Sequence, residues 1–118
     1  MELINSIITW VMKKRIHQME FFMKYPLEVQ DELRKDLLLR ARQTEYGIRY
    51  NFDEIVNYDD FRRKVPVVAY EDLQPLIERT MRGEQNVLWP TPIKWFSKSS
   101  GTTNARSKFI PVSPEALE

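Results

Sequence analysis

Two amphipathic helical patterns open the chain. In the first, apolar side chains recur at steps of four and three residues, at Ile4, Ile8, Met12, Ile16, Met19 and Met23. That spacing predicts a helix over residues 3–24, which Pro26 would end. The second pattern predicts a helix over residues 27–45 that closes near a left-handed cap at Gly47; its apolar positions are Val29, Leu33, Leu37 and Ala41. Two apolar faces this close in sequence predict a helical hairpin, or two helices packed on a shared neighbour.

The apolar face of the first helix has two interpretations. Followed by Lys13-Lys14-Arg15, it could lie on anionic lipid. A Met- and Ile-rich face at helical spacing is more often part of a core, so we expect core. The stretch is too short to span a bilayer, which needs about 20 apolar residues. Its positive charge follows the apolar segment, whereas a secretory signal carries it before. We therefore expect a cytoplasmic protein without a membrane span.

Shorter elements are predicted from Asn51 onward. Residues 59–64 start with acid and end with base, as in a short helical turn. The proline of residues 65–68 restricts that apolar segment to a sheet edge or to the entry of a strand. A helix over residues 71–82 would bury four apolar side chains and stop at Gly83: Leu73, Leu76, Ile77 and Met81. Strands are predicted at residues 86–89, 93–96 and 108–112, and Ser113-Pro114-Glu115 has the pattern of a helix start. These elements predict an α/β (mixed α+β) fold, and a final helix cut this early suggests that the natural polypeptide continues.

Composition excludes several kinds of site. The net charge of +1 gives no electrostatic case for binding nucleic acid, whose binders usually show a clustered basic face. With no cysteine, disulfides and thiolate metal sites are excluded. The lone His17 cannot by itself build a histidine zinc site or a Ser/Cys–His pair, and we expect it on the surface.

A hydroxyl-rich loop at residues 97–108 is the segment with the clearest chemistry. Gly101 permits the backbone turn that directs successive N–H groups toward an anion. Hydroxyl donors for phosphate oxygens are available at Ser99, Ser100, Thr102 and Thr103. Positive charge is available at Lys98, Arg106 and Lys108. The Walker pattern and the dinucleotide fingerprint are both absent, and an ordinary Ser/Thr-rich turn is the alternative.

The motifs along the chain resemble those of a known family in their order and in their residues. Ser99-Ser100-Gly101-Thr102-Thr103, followed by Lys108, resembles the phosphate-binding signature of the adenylate-forming superfamily of luciferases and acyl-CoA synthetases. The wider context resembles the auxin-responsive (Gretchen Hagen) acyl-acid amido synthetase family, and most closely its bacterial members. It includes Thr44-Glu45-Tyr46-Gly47, Val65-Pro66-Val67, Tyr70-Glu71-Asp72-Leu73, Gly83-Glu84, Leu88-Trp89-Pro90 and residues 108–113. The chain departs at Asn104-Ala105, where family members often have glycine.

The resemblance implies a fold, a reaction and a set of ligands. Residues 1–118 would be the N-terminal part of a larger adenylate-forming domain, and Ser99, Ser100, Gly101, Thr102 and Thr103 would wrap the ATP phosphates with help from Lys108. A carboxylic acid would attack Mg-ATP to give an acyl-adenylate and pyrophosphate, and an amino acid would then displace AMP to form an amide. The Mg²⁺ ligand and the substrate sites would lie beyond Glu118. The chain alone would be inactive, and no catalytic or metal-binding residue is assigned within it.

Two alternative functions remain at this point. A non-catalytic helical interaction or scaffold module would use the helices of residues 3–43, and a regulatory ATP-binding module would use residues 97–108 without chemistry. The hydroxyl-rich loop favours the enzyme over the scaffold, which has no need of it. The aromatics that flank the loop, Trp89, Trp95 and Phe96, could line an acyl pocket, but strand aromatics are usually core and we expect that here. Glu71 and Asp72 are explained by helix capping.

Overall fold

The structure is a computed structural model that describes residues 1–101 and 106–117. It divides into two compact units, Met1–Lys35 and Asp36–Glu118. The helices are α1 (Glu2–Lys24), α2 (Pro26–Ala41), α3 (Glu45–Arg49), α4 (Tyr58–Lys64) and α5 (Tyr70–Met81). Short 3-10 helices lie at Phe52–Glu54 and Pro114–Leu117, and the strands are β1 (Trp95–Lys98) and β2 (Phe109–Val112). This mixture of helices with a small antiparallel sheet confirms the predicted α+β class.

The first unit contains α1 and the start of α2. Only Tyr25 separates the two helices, and together they line a cleft of about 730 Å³. No residue of α1 is buried, and Ile4 and Ile8 on its apolar face remain 62% and 54% exposed. Our expectation that this face forms part of a core is therefore wrong within the first unit. Among the described residues, we find no helix with the length and apolar character that crossing a membrane requires.

The second unit contains a small core around α5. Apolar side chains that α5 directs inward at helical spacing meet others from the end of α2 and from residues 87–93: Leu38, Ala41, Leu76, Ile77, Val87 and Ile93. Helix α5 starts where Asp72 Oδ2 accepts from the Ala69 N–H at 2.9 Å, as expected of an acid in the first turn. It ends at Met81, and two residues later the φ of +101° at Gly83 lets Glu84 N donate to Arg79 O at 3.1 Å. Met81, which we expected to be buried, is exposed.

Gly47 has a different role from the predicted one. Helix α2 ends earlier, at Ala41, and Gly47 is buried inside α3. A β-carbon at Gly47 would lie 2.1 Å from the carbonyl oxygen of Ala41, so glycine is required by close packing of two backbone segments. The fully buried Thr44 begins α3, and its Oγ1 donates to Ala41 O at 2.7 Å and accepts from Gly47 N at 3.0 Å.

The strand predicted at residues 86–89 is absent from this described segment. Asn86 has a left-handed φ of 58°, which interrupts extended backbone. The carbonyl oxygens of Asn86 and Val87 instead accept from the N–H groups of Glu45 and Tyr46, both at 3.0 Å. The N–H groups of Glu45 and Tyr46 have no partner within α3, because they lie in its first turn. The segment therefore satisfies the N-terminus of this helix. The prediction was wrong because the main-chain carbonyls of this segment pair with the start of α3 and not with another strand.

Candidate functional site

The predicted loop connects β1 to β2 in an antiparallel hairpin. Lys98 pairs with Phe109 in the register, and the pairing extends one residue further. Ser99 N donates to Lys108 O at 2.9 Å, and Lys108 N donates to Ser99 Oγ at 3.0 Å. Ser99 and Lys108 therefore close the base of the loop, and the main-chain N–H of Ser99 is already used within the hairpin.

The predicted site residues fall into three groups. Ser99 and Lys108 form the base just described, and Ser100 and Gly101 follow as exposed residues. Thr102 and Thr103 lie outside the described residues, as do Asn104 and Ala105. The predicted basic residues Lys98, Arg106 and Lys108 are exposed around the base of the loop. The structure thus brings hydroxyls and cations to one end of a hairpin.

Tyr70, the first residue of α5, holds the outer edge of β2. Its hydroxyl donates to Phe109 O and accepts from Phe109 N, both at 3.0 Å. Alternate residues of an antiparallel strand direct their main-chain groups toward and away from the partner strand. Because Lys108 is bonded to β1, the groups of Phe109 point outward, where Tyr70 meets them. Tyr70 was assigned no role from the sequence, although it lies in the Tyr70-Glu71-Asp72-Leu73 motif.

The same tyrosine also contacts the predicted phosphate-binding lysine. Lys108 Nζ lies 5.3 Å from the centroid of the Tyr70 ring, within cation–π range. A cleft of about 540 Å³ opens beside this contact, and its lining includes Gln74, Glu78, Arg106 and Lys108. One helix terminus therefore fixes both the main chain of β2 and the side chain of the lysine before it.

An ion-pair cluster ties the start of α3 to the end of α5. Arg79 donates to both carboxylate oxygens of Glu45, at 2.9 and 2.6 Å, and to Glu84 at 2.8 Å. These hydrogen bonds from Arg79 are the main reason that the pKa values of Glu45 and Glu84 are lowered. This cluster was not predicted from the sequence. The bidentate geometry fits a structural clamp between two helices.

The aromatics near the loop are less buried than expected. Trp95 is 67% exposed, so its assignment to the core is wrong, whereas Trp89 and Phe96 are half-buried. Trp89 Nε1 donates to Glu115 at 3.3 Å, and Thr91 Oγ1 donates to the same carboxylate. The hydrogen bond from Thr91 is the largest cause of the lowered pKa of Glu115. Glu115 thus ties the last 3-10 helix to the segment before β1.

Potential metal ligands are scattered in this part of the molecule. Among residues 1–101 and 106–117, no three Asp, Glu or His side chains converge as a metal ion would require. His17 is an exposed side chain 3.6 Å from Glu20, as its surface assignment predicted.

Comparison with known proteins identifies relatives over most of the chain. The GH3 family N-terminal domain matches residues 15–118. Indole-3-acetic acid-amido synthetase GH3.2 of Arabidopsis thaliana is 37% identical over 106 residues, which are 89% of this chain and 19% of that protein. Jasmonoyl–L-amino acid synthetase JAR6 of Nicotiana attenuata is 33% identical over 107 residues, 90% of this chain and 18% of that protein.

Solved structures give the same relationship. The GH3.15 acyl acid amido synthetase of Arabidopsis thaliana, in complex with 2,4-DB, superimposes with a TM-score of 0.65 at 36% identity. The match covers 75% of this chain and 16% of that one. The chain therefore spans less than a fifth of the length of these relatives.

The relatives are amido synthetases, that is, ligases that join an acid to an amino acid. Homology to them favours the enzyme over the helical scaffold. The likeness to bacterial members stays a prediction, since the relatives described above are plant proteins. The chain belongs to the GH3 family, and its residues 15–118 lie in the family's N-terminal domain.

Proposed function

We propose that this chain supplies the ATP phosphate-binding loop of an acyl-acid amido synthetase. The full-length protein would activate a carboxylic acid with Mg-ATP and transfer the acyl group to an amino acid. The observation that carries the proposal is the hairpin itself: hydroxyls and cations converge at one end of it, in a chain homologous to amido synthetases.

The described part of the loop has the chemistry that a polyphosphate requires. Ser100 and Gly101 are exposed beyond the base of the loop, and their N–H groups and the Ser100 hydroxyl are proposed to bind the anion. Lys98 and Lys108 flank them and balance negative charge. Ser99 needs a refined role, because its N–H is bonded to Lys108 O. Its Oγ accepts from Lys108 N, which leaves the hydroxyl hydrogen available to donate to a phosphate oxygen.

ATP would supply AMP as the leaving group of the acyl-adenylate, which makes the acyl group reactive toward an amine. The loop's part is to orient the phosphates and to stabilise negative charge as pyrophosphate departs, which is positioning plus electrostatics. Thr102 and Thr103 are proposed to complete the contacts to phosphate. The Mg²⁺ ligand and the acid and amine sites are proposed to lie outside this chain, so the chain alone should be inactive.

Carboxylate-dependent exchange of pyrophosphate into ATP tests the proposal. We expect the full-length protein to catalyse this exchange with at least one acid from a broad panel. Gly101→Val and Thr102→Ala should each lower the rate while circular dichroism and the melting temperature stay close to wild type. Thr9→Ala removes the same hydroxyl from an exposed position of α1 and serves as the matched control.

Three outcomes count against the proposal. A folded full-length protein with no exchange across the panel removes the ligase function. ATP binding without exchange indicates the regulatory alternative. Normal exchange in Gly101→Val and Thr102→Ala shows that the loop is an ordinary turn.

A further inference from the structure

We infer that Tyr70 is a positioning residue for the phosphate-binding loop. Its hydroxyl fixes the main chain of Phe109, and its ring holds the ammonium of Lys108 beside the loop. The inference rests on the proposed function, because it concerns the same loop. It adds a residue that contacts no phosphate and acts through its neighbours.

The hydroxyl is well suited to fixing one residue of a strand. A tyrosine hydroxyl has one hydrogen to donate, and here it donates to Phe109 O while it accepts from Phe109 N. The two bonds hold the same residue from the same side, so a shift of β2 along its length would break both. Phe109 directly follows Lys108, and the two bonds therefore also fix the main chain from which the lysine side chain extends.

The helix behind Tyr70 is anchored in the core of the second unit. Tyr70 begins α5, whose Leu76 and Ile77 are among the most buried side chains of the second unit. The first turn of α5 is held by the bond from Ala69 N to Asp72. Tyr70 thus transmits the position of a core-anchored helix to the edge of the hairpin.

The ring contact gives the lysine a starting position. A cation–π contact at an exposed site is weak, so a polyphosphate can draw the ammonium away from the ring. Before a polyphosphate binds, the contact already restricts the long side chain of Lys108. Less conformational freedom is then lost on binding. Lys108 is thereby held beside the loop before the ligand arrives.

The experiment separates the hydroxyl from the ring in the full-length protein. Tyr70→Phe removes both bonds to Phe109 and keeps the ring, and we expect the KM for ATP in the exchange assay to rise about tenfold. The KM for the carboxylic acid should change by less than about twofold, which general damage to the fold would not give. Tyr58→Phe is the control, because Tyr58 also begins a helix and is 61% exposed.

A double-mutant cycle tests the ring. Tyr70→Leu should raise the KM for ATP more than Tyr70→Phe does, and the difference should vanish when Lys108 is replaced by methionine. A difference that persists without Lys108 would show that the ring only packs. A wild-type KM for ATP in Tyr70→Phe would overturn the positioning role.

Failure of the proposed function would be recognised separately. If the wild-type protein shows no exchange of pyrophosphate into ATP, the ligase proposal fails, and the link from Tyr70 to ATP binding fails with it. Hydrogen exchange at the Phe109 amide still decides the anchoring, since Tyr70→Phe should speed it about tenfold with or without ATP. Unchanged protection would overturn the anchoring as well.

Discussion

Replacing Thr44 by valine keeps the shape of a fully buried side chain and removes its hydroxyl. In the structure that hydroxyl accepts the N–H of Gly47 at 3.0 Å, inside α3. Ala41 O, which the hydroxyl also contacts, keeps a second bond from Thr44 N at 3.0 Å. The substitution therefore leaves one buried donor, the Gly47 N–H, without a partner.

The expected cost follows from that single orphaned donor. A buried polar group that loses its partner costs about 1–3 kcal/mol, and loss of a helix N-cap costs about 0.5–2 kcal/mol. We take about 2 kcal/mol, which corresponds to roughly a thirtyfold rise in the opening of α3. Hydrogen exchange of the full-length protein, read by mass spectrometry over residues 44–50, measures this local opening directly.

Thr80 provides a matched control in the same unit. It is also buried, but its Oγ1 donates to Leu76 O at 3.0 Å, a carbonyl that lies within helix α5. Thr80→Val leaves no donor without a partner, so protection over residues 76–83 should fall by less than about threefold. Equal losses in the two variants, or a larger loss in Thr80→Val, would refute the argument from the orphaned N–H.

Three further substitutions test other contacts of the second unit. Gly47→Ala places a β-carbon 2.1 Å from Ala41 O and should lower the free energy of unfolding by about 1–3 kcal/mol. An unchanged melting temperature in calorimetry would contradict the clash. Arg79→Gln should lower stability at neutral pH. The pKa of Glu45 is held below 4.5 by Arg79, so the stabilisation is complete above that pH and is lost as the pH falls through the lowered value. The difference in free energy of unfolding between wild type and Arg79→Gln, measured in urea, should therefore narrow below pH 4.5. A difference that stays constant down to pH 3 would argue against the coupling between Arg79 and Glu45. Asn86→Ala should cost about 1–2 kcal/mol in the same assay, because alanine disfavours a φ of 58° and cannot replace the side-chain bond to a main-chain carbonyl.

Local patterns were sufficient to predict α5 and the two strands that flank the hydroxyl-rich loop. The helix combines apolar residues at helical spacing with an acid at its start and Gly83 after its end, and each signal acts within a few residues. The two strands were predicted from the apolar segments that flank this loop, but their antiparallel pairing was not, and β1 begins two residues later than predicted. The phosphate-binding role of that loop stays a prediction.

The contacts that sequence reasoning missed are made over long distances along the chain. Tyr70 and Phe109 are 39 positions apart, and Arg79 and Glu45 are 34 positions apart. Gly47 was misread because glycine has two uses, backbone freedom and the absence of a side chain, and only the packed structure shows which one applies. The exposed face of α1 shows the same limit, since helical spacing gives an apolar face without stating what covers it.

The outer side of β2 has a consequence for how the sheet can grow. Pro111 carries no N–H, and the next outward-facing position, Phe109, has both main-chain groups occupied by Tyr70. A third strand approaching from this side would find neither an N–H at Pro111 nor a free group at Phe109. Any further pairing by this sheet should therefore take place along Trp95–Lys98, which would leave α5 bordering the sheet.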